Sequence, residues 1–156
     1  MTAKIKPRIN TDGRTPLQDV IPLSTPFILF VDPSSGCNFK CKFCPTGDTK
    51  LIKETGRFVG TLDWDLYRLI IDDLQEFDKP LKVLRLYKDG EPLLNKKFPQ
   101  MIEYAKRSDR VPYVDTTTNA ALLTRQLSTD ILNAGLDKIN ISINGMQKET
   151  YSQFCR

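Results

Sequence analysis

The sequence predicts an α/β protein in which parallel strands curl into a partial barrel, and three observations support this fold class. Strand-like and helix-like segments alternate after residue 26, as in consecutive βα units. The last three strand-like segments start roughly 25 to 30 residues apart, near the length of a βαβ unit. Two strands also carry polar residues on one face, whereas central strands of a doubly wound sheet are apolar on both faces.

Four short apolar or β-branched runs are predicted to form the strands. They occupy residues 27–31, 82–87, 113–118 and 138–144. Runs of this length, bounded by turn residues, are typical of strands. A long polar segment with several glycines separates the first strand from the first predicted helix.

Helices are predicted from apolar residues that recur at three- and four-residue spacing. The apolar positions of the first three helices are Leu62, Leu66, Ile70, Leu74 and Phe77, then Phe98, Met101, Ile102 and Ala105, then Leu127, Ile131 and Leu132. Asp63 and Asp65 lie where the positive end of the first helix favours acidic side chains. Pro99 suits the opening turn of the second helix, and Gly135 ends the third. Lys148 begins a fourth helix.

Two strands are predicted to have one polar face. In the fourth strand, Ile139, Ile141 and Ile143 share one face, while Asn140, Ser142 and Asn144 share the other. In the second strand, Leu84 and Leu86 oppose Arg85 and Tyr87, and we expect these last two side chains to pack rather than to act in chemistry. A polar face indicates a water-filled lumen inside a partial barrel. The alternative is a mixed sheet with one solvated face.

The chain is predicted to consist of an irregular arm, residues 1–26, followed by one core domain, residues 27–156. Four prolines interrupt the arm, at Pro7, Pro16, Pro22 and Pro26. The length of 156 residues suits a single domain of ordinary size. No apolar run approaches the ~20 residues of a membrane helix, so we expect a cytoplasmic protein without a membrane partner.

Composition excludes several kinds of chemistry. The chain contains no histidine, which rules out a Ser-His-Asp triad, a Cys-His nucleophile and any histidine-ligated metal. A net charge of +4 is mild, and no nucleic-acid partner is evident from it. Three of the four cysteines cluster in one short segment, a distribution unlike the disulfide framework of a secreted mini-protein.

The clustered cysteines, Cys37, Cys41 and Cys44, lie in a CxxxCxxC loop after the first strand. Soft thiolates select zinc, copper(I) or iron–sulfur clusters. Three thiolates suit a [4Fe–4S] cluster with one open iron, and Lys40 and Lys42 would offset the cluster charge. Two alternatives remain at this point: a Cys41–Cys44 redox pair, and structural zinc that also uses Cys155. Otherwise Cys155 is predicted to be a lone, inert thiol.

The motifs at the ends of the four predicted strands resemble those of the radical S-adenosylmethionine (radical SAM) enzymes. The CxxxCxxC loop, with Phe43 before its last cysteine, is similar to the cluster loop of that family. Asp89-Gly90-Glu91-Pro92 resembles its Gly-Gly-Glu element, and Thr118-Asn119-Ala120 resembles its Thr-Asn-Gly sequence. Ile141-Ser142-Ile143-Asn144-Gly145 resembles its Ile-Ser-Leu-Asp-Gly sequence. The resemblance covers the chain from about residue 27 onward.

The resemblance implies a fold, two cofactors and a set of site residues. The implied fold is a (β/α)6 partial TIM-like barrel, of which the chain holds about four βα units, so we expect an N-terminal part of a longer enzyme. A [4Fe–4S] cluster would be held by Cys37, Cys41 and Cys44. The implied cofactor-binding residues for S-adenosylmethionine are Phe43, Gly90, Glu91, Asn119, Ser142 and Asn144. No residue is assigned as a catalytic acid or base.

The resemblance also implies an activity. Such an enzyme cleaves S-adenosylmethionine reductively and abstracts hydrogen from a substrate, with electrons from a donor such as a flavodoxin or ferredoxin. The arm and the segment around Cys37 are most similar to members that carry a C-terminal auxiliary-cluster domain, which would make the substrate a peptide or protein. The alternative is a metal-binding or CxxC thiol module without catalysis.

Overall fold

The computed structural model describes residues 4–5 and 14–155, and within them four strands form one parallel sheet. The strands are β1 (Ile28–Phe30), β2 (Val83–Arg85), β3 (Val114–Thr118) and β4 (Lys138–Ile141). Their order in the sheet is β1-β2-β3-β4, and all three neighbouring pairs are parallel. This sequential order without a reversal is that of a barrel segment. The partial-barrel prediction is confirmed, and the mixed-sheet alternative is wrong.

Five α-helices accompany the strands in the described part of the chain. They are α1 (Thr49–Glu54), α2 (Trp64–Asp72), α3 (Phe98–Arg107), α4 (Arg125–Asn133) and α5 (Lys148–Phe154). A 3-10 helix, Asp73–Glu76, continues α2. Helices α2 to α5 confirm the four predicted ones, whereas α1 was not predicted. It depends on a cap, because the Asp48 carboxylate accepts hydrogen bonds from the first-turn N–H groups of Lys50 and Leu51.

Side-chain caps define the starts of α2 and α4. Asp63 caps α2 by accepting hydrogen bonds from the N–H groups of Asp65 and Leu66. The Thr124 hydroxyl accepts the N–H of Leu127 at the start of α4. Just beyond α4, Gly135 adopts a φ of 92°, a left-handed conformation that glycine tolerates best.

The hydrophobic core lies between the sheet and helices α2, α3 and α4. Leu84 of β2 pairs in register with Val114 of β3, and both are fully buried. The helices supply the fully buried side chains Tyr67, Ile71, Phe98, Met101 and Ile102. Burying a side chain such as leucine or phenylalanine contributes about 1.5–3 kcal/mol, so this layer fixes the sheet on which the strand ends converge.

The other face of the sheet is open and largely polar. Across this face Phe30, Arg85, Asp115 and Lys138 lie in register on β1, β2, β3 and β4. The two-faced pattern predicted for the second and fourth strands is therefore present. The fourth strand is shorter than predicted, ending at Ile141 rather than at residue 144.

The isoleucines of the fourth strand are exposed. Ile139 and Ile141 lie on the helix side of the sheet and Ile143 follows the end of β4, yet none of the three is buried. Helix α5 follows this strand but lies against the cysteine loop, where the Phe154 carbonyl accepts the N–H of Lys42 at 2.9 Å. The apolar alternation therefore identified the strand but not its burial.

The predicted arm is described only in part. Residues 14–26 include a short 3-10 helix, Leu17–Asp19, and are otherwise irregular, while residues 1–3 and 6–13 of the predicted arm lie outside the described residues. The division of the chain at residue 26 stays a prediction. No helix among the described residues has both the length and the apolar character that a membrane crossing requires.

Candidate functional site

The four segments that follow the strands meet at one rim, because the carboxyl ends of parallel strands share one edge of the sheet. The cysteine loop (residues 37–44) follows β1, and the Glu91 turn (residues 89–91) follows β2. Asn119 follows β3, and Ser142 follows β4. All of the predicted site residues lie on these four segments.

The chain leading into the cysteine loop crosses directly over the Glu91 turn. The Glu91 N–H donates a hydrogen bond to the Gly36 carbonyl at 2.8 Å. A Cβ added to Gly90 would overlap the carbonyl of Ser34 and lie 2.5 Å from that of Gly36. Gly90 is therefore required by a close approach of two backbones.

The Glu91 side chain is buried, with 2% of its surface exposed. One carboxylate oxygen accepts hydrogen bonds from the Thr118 hydroxyl at 2.6 Å and the Leu93 N–H at 3.1 Å. The other accepts the Asn119 N–H at 2.8 Å. These three donors satisfy a buried carboxylate that would otherwise be costly. Glu91 thus joins the end of β2 to the end of β3.

Arg57 fastens the cysteine segment to the Glu91 turn from the other side. Its guanidinium donates to the Ser35 carbonyl at 3.1 Å and to the Thr46 hydroxyl at 3.2 Å. It also lies 4.0 Å from the Asp89 carboxylate, and the Thr46 hydroxyl donates to the Asp89 carbonyl. Sequence reasoning missed Arg57 and Thr46, because both lie in the polar segment without a motif or an apolar period.

Cys37 lies next to the end of the third strand. The Asn119 side-chain amide donates to the Asn38 side-chain oxygen at 2.9 Å and to the Cys37 sulfur at 3.9 Å. The Phe39 N–H also donates to the Cys37 sulfur, at 3.4 Å. The structure therefore brings Cys37, Asn119 and Glu91 together, although Glu91 and Cys37 come from different loops.

The three thiols of the cysteine loop influence one another electrostatically. Burial, followed by contact with Cys155 and by the charges of Cys37 and Cys44, raises the pKa of Cys41 to about 11. Burial also raises the pKa of Cys37, and the charges of Glu91 and Cys44 act in the same direction. Three thiolates close together oppose one another's ionisation, so a positively charged group would stabilise them as a set.

The sequence predicted that Cys155 is a lone thiol. In the structure, Cys155 instead follows α5 and reaches the cysteine loop. Cys155 is buried, and its interaction with Cys41 is one of the causes that raise the pKa of the Cys41 thiol. The Asn144 side-chain amide lies 3.7 Å from the same sulfur. No sequence signal indicates this contact, which depends on α5 folding back over the rim.

The remaining predicted residues are also on the rim. Phe43 is exposed over 59% of its surface, beside Cys44. Ser142 continues past β4, where its N–H donates to the Thr118 carbonyl at 2.9 Å. Asn144 is exposed and reaches the cysteine loop through Cys155.

The donor set fits an iron–sulfur cluster by its chemistry. In the described part of the chain, no three side chains of histidine, cysteine, aspartate or glutamate lie close enough together to hold a single metal ion. A [4Fe–4S] cluster takes thiolate ligands, and the three soft thiols of the cysteine loop supply that type of ligand.

Comparison with known proteins identifies one family for most of the chain. The family model described as the radical SAM superfamily matches residues 31–156. This range begins directly after β1 and covers β2 to β4, the cysteine loop and the Glu91 turn. It omits the predicted arm.

Curated relatives are considerably longer than the chain. A GTP 3',8-cyclase of Chlorobaculum tepidum is 30% identical over 129 residues, covering 79% of this chain and 34% of the cyclase. An AdoMet-dependent heme synthase of Methanosarcina barkeri is 28% identical over 132 residues, covering 84% of this chain and 35% of the synthase. The chain thus spans about a third of the length of these relatives.

Solved structures share the fold. BtrN in complex with AdoMet and 2-DOIA matches with a TM-score of 0.63 and 22% identity, covering 82% of this chain and 51% of BtrN. Native anSMEcpe with bound AdoMet and Cp18Cys peptide matches with a TM-score of 0.63 and 20% identity, covering 84% of this chain and 34% of anSMEcpe. At these identities the likeness concerns the fold alone.

Proposed function

We propose a function from the premise that the chain belongs to the radical SAM superfamily, as the match over residues 31–156 shows. Enzymes of this superfamily use a [4Fe–4S] cluster and S-adenosylmethionine. We propose that this chain is the part of such an enzyme that holds both. Because the curated relatives are about three times longer, the activity of the whole protein is part of the proposal.

Cys37, Cys41 and Cys44 would hold the cluster and leave one iron open. When bound and reduced, the cluster would supply the electron for reductive cleavage of S-adenosylmethionine, the chemistry that leads to hydrogen abstraction from the substrate. The neighbouring Lys40 and Lys42 are exposed and would offset the charge of the thiolates. Cys155, in contact with Cys41, is left outside the ligand set.

One observation carries the proposal: the cysteine loop is fixed against the Glu91 turn and Asn119. The bonds from Glu91 N–H to Gly36 and from the Asn119 amide to Asn38 hold the loop at the ends of β2 and β3. A cofactor placed beside the thiols therefore meets polar groups that are already positioned, which lowers the cost of binding.

The residues around the thiols would then have two roles, positioning the site and contacting the cofactor. The Glu91 carboxylate is occupied by three internal donors, so we assign it a positioning role and assign cofactor contact to the backbone of Gly90. Asn119, Ser142 and Asn144 offer polar side chains on the same rim, and Phe43 offers an exposed ring. Together they would orient S-adenosylmethionine and exclude water from it.

Further parts of the proposal are the donor, the location and the substrate class. Reductive cleavage needs a potential in the reducing part of the cluster range of about −700 to +450 mV, and therefore a donor such as a flavodoxin or ferredoxin in the cytoplasm. The sequence around Cys37 favours a peptide or protein as substrate. The peptide bound to the neighbour anSMEcpe is compatible with this class.

Anaerobic reconstitution with iron and sulfide tests the proposal. We expect about four irons per chain and a change in the electron paramagnetic resonance of the reduced cluster when S-adenosylmethionine is added. Cys41→Ala should lose the iron, whereas the matched variant Cys155→Ala should keep it. One tightly bound zinc without an effect of S-adenosylmethionine would instead support the non-catalytic metal module. Equal loss of iron in both variants would contradict the three-ligand assignment.

A further inference from the structure

The open face of the sheet carries three charged side chains at one level. Arg85, Asp115 and Lys138 are register partners on β2, β3 and β4, with Phe30 beside them on β1. Register partners on neighbouring strands point to the same face. We call Arg85, Asp115 and Lys138 the charge row. Two cations flank one carboxylate, so the row has a net positive charge.

Arg85 is held on two sides. Its guanidinium carbon lies 5.3 Å from the centroid of the Phe30 ring, and its Nε lies 3.5 Å from an Asp115 carboxylate oxygen. The Phe30 ring is itself in edge contact with the Tyr87 ring, at 5.8 Å between centroids. The Arg85 side chain remains 32% exposed, whereas that of Asp115 is only 8% exposed. The guanidinium is thus anchored at its base and accessible at its end.

Two atoms of this pair lack hydrogen bonds. Among the described residues, Arg85 Nε and Asp115 Oδ1 are the buried side-chain polar atoms without a hydrogen-bond partner. An unsatisfied buried polar group is costly and uncommon in folded proteins. Burial also raises the pKa of Asp115, although the charges of Arg85 and Lys138 oppose that shift. The side chains of the protein therefore leave hydrogen-bonding capacity at this charged pair unused.

On β3 and β4, the neighbouring level of the same face is uncharged. Thr117 and Asn140 are register partners one level closer to the rim, and the Asn140 amide donates to the Thr117 hydroxyl at 3.4 Å. A ligand group at the charge row therefore meets a guanidinium whose Nε faces the Asp115 carboxylate, with neutral polar and aromatic side chains nearby. A planar guanidinium in such a setting binds oxyanions through two parallel hydrogen bonds.

We propose that the charge row binds an oxyanion group of the substrate, a carboxylate or a phosphate, with Arg85 as the direct ligand and Asp115 as the positioning residue. This inference rests on the proposed function, because it places the substrate on the open face below the rim that would hold the cofactor. Arg85 is thereby assigned a binding role, whereas the sequence predicted a residue that packs or supports the site without acting in the chemistry. Lys138 adds positive charge beside Asp115.

The test is a titration followed through the Arg85 Nε–H resonance by nuclear magnetic resonance. Inorganic phosphate and acetate serve as probes, with chloride at equal ionic strength as reference, on the protein with and without the reconstituted cluster. We expect a saturable shift with phosphate or acetate. Tighter binding of phosphate indicates a phosphorylated substrate, and tighter binding of acetate indicates an acidic peptide. The absence of a saturable shift with both probes overturns the proposal.

Variants distinguish the role of Arg85, which binds the oxyanion, from that of Asp115, which positions Arg85. In variants, binding of the same two probes is measured by calorimetry. Arg85→Gln should weaken it about tenfold or more, while the matched control Arg68→Gln, on the exposed outer surface, should leave it unchanged. Asp115→Asn should also weaken binding, even though it removes a negative charge. Tighter binding in Asp115→Asn would overturn the positioning role.

Iron content distinguishes this inference from the proposed function. Arg85→Gln should still take up about four irons per chain, because Arg85 lies outside the cysteine loop. If the parent protein takes up no cluster but its Arg85 resonance responds to phosphate or acetate, the proposed function fails and the oxyanion site stands. If the cluster forms and the resonance does not respond, only the oxyanion site fails.

Discussion

The Glu91 turn and the cysteine loop lie side by side on the rim but are built in opposite ways. Glu91 is 2% exposed, and its carboxylate and N–H together make four hydrogen bonds. The cysteine loop leaves Lys40, Lys42 and Phe43 exposed, and its thiols repel one another when ionised. The Glu91 turn is a support whose hydrogen bonds are complete within the chain. The cysteine loop is instead arranged to bind a group that the chain itself does not supply.

The largest expected effect is that of Gly90→Ala, which would break the support. Its Cβ would meet backbone atoms of Ser34 and Gly36, which cannot turn away as a side chain can. We expect the free energy of unfolding to fall by about 3 kcal/mol, measured by urea denaturation. Gly36→Ala is the matched control, because its Cβ would meet mainly the Val59 side chain at 3.3 Å. Equal effects of the two variants would contradict the crossing of the two backbones.

A smaller but more specific effect is expected for Glu91→Gln. The amide nitrogen would face a hydrogen-bond donor, because both carboxylate oxygens of Glu91 already accept N–H or O–H groups. We expect a loss of about 2 kcal/mol in unfolding free energy. Glu103→Gln, on the exposed surface of α3, should stay within about 0.5 kcal/mol of the parent.

The Glu91→Gln variant also tests the positioning role of Glu91. If Glu91→Gln keeps the full stability of the parent but loses the spectroscopic effect of S-adenosylmethionine, the carboxylate contacts the cofactor directly. In that case Glu91 would not be a purely structural residue, and its contrast with the cysteine loop would be wrong.

The third prediction concerns the loop side of the comparison. Because Lys40 and Lys42 are exposed on a loop whose thiols the chain alone does not join, trypsin should cut the cluster-free protein there sooner than at Lys88. Reconstitution of the cluster should slow this cleavage about tenfold, since the three thiols would then be held together. Mass spectrometry of the first fragments identifies the site. First cleavage at Lys88, next to the Glu91 turn, would contradict the comparison.

The difference between the two regions also explains what the sequence could predict. Apolar periodicity identified α2, α3 and α4, because their buried faces repeat with the helix. The motifs placed Gly90, Glu91 and Asn119 on one rim, because the ends of parallel strands share an edge. The fold and the position of the site were therefore predictable from local patterns.

The chemistry within the site was less predictable, because it depends on contacts between distant residues. Asn119 meets Asn38 across 81 positions, and Glu91 meets Thr118 across 27. No local sequence pattern indicates that Arg57 hydrogen-bonds to the cysteine segment, or that Cys155 interacts with Cys41. Helix α1 was missed for a related reason, since an aspartate cap rather than an apolar stripe defines it.

The smallest expected effect lies where support and loop meet, at Ala120. This residue directly follows Asn119 and has a φ of 61°, in the left-handed region that costs an alanine about 1–2 kcal/mol. Glycine adopts this conformation without steric cost but loses more entropy on folding. We therefore expect Ala120→Gly to raise the free energy of unfolding by up to about 1 kcal/mol. Ala121→Gly, at the neighbouring position without a positive φ, should not stabilise the protein. A loss of stability in Ala120→Gly would mean that the methyl group contributes packing that outweighs the strain, and that the rim is less tightly constrained at Asn119 than at Glu91.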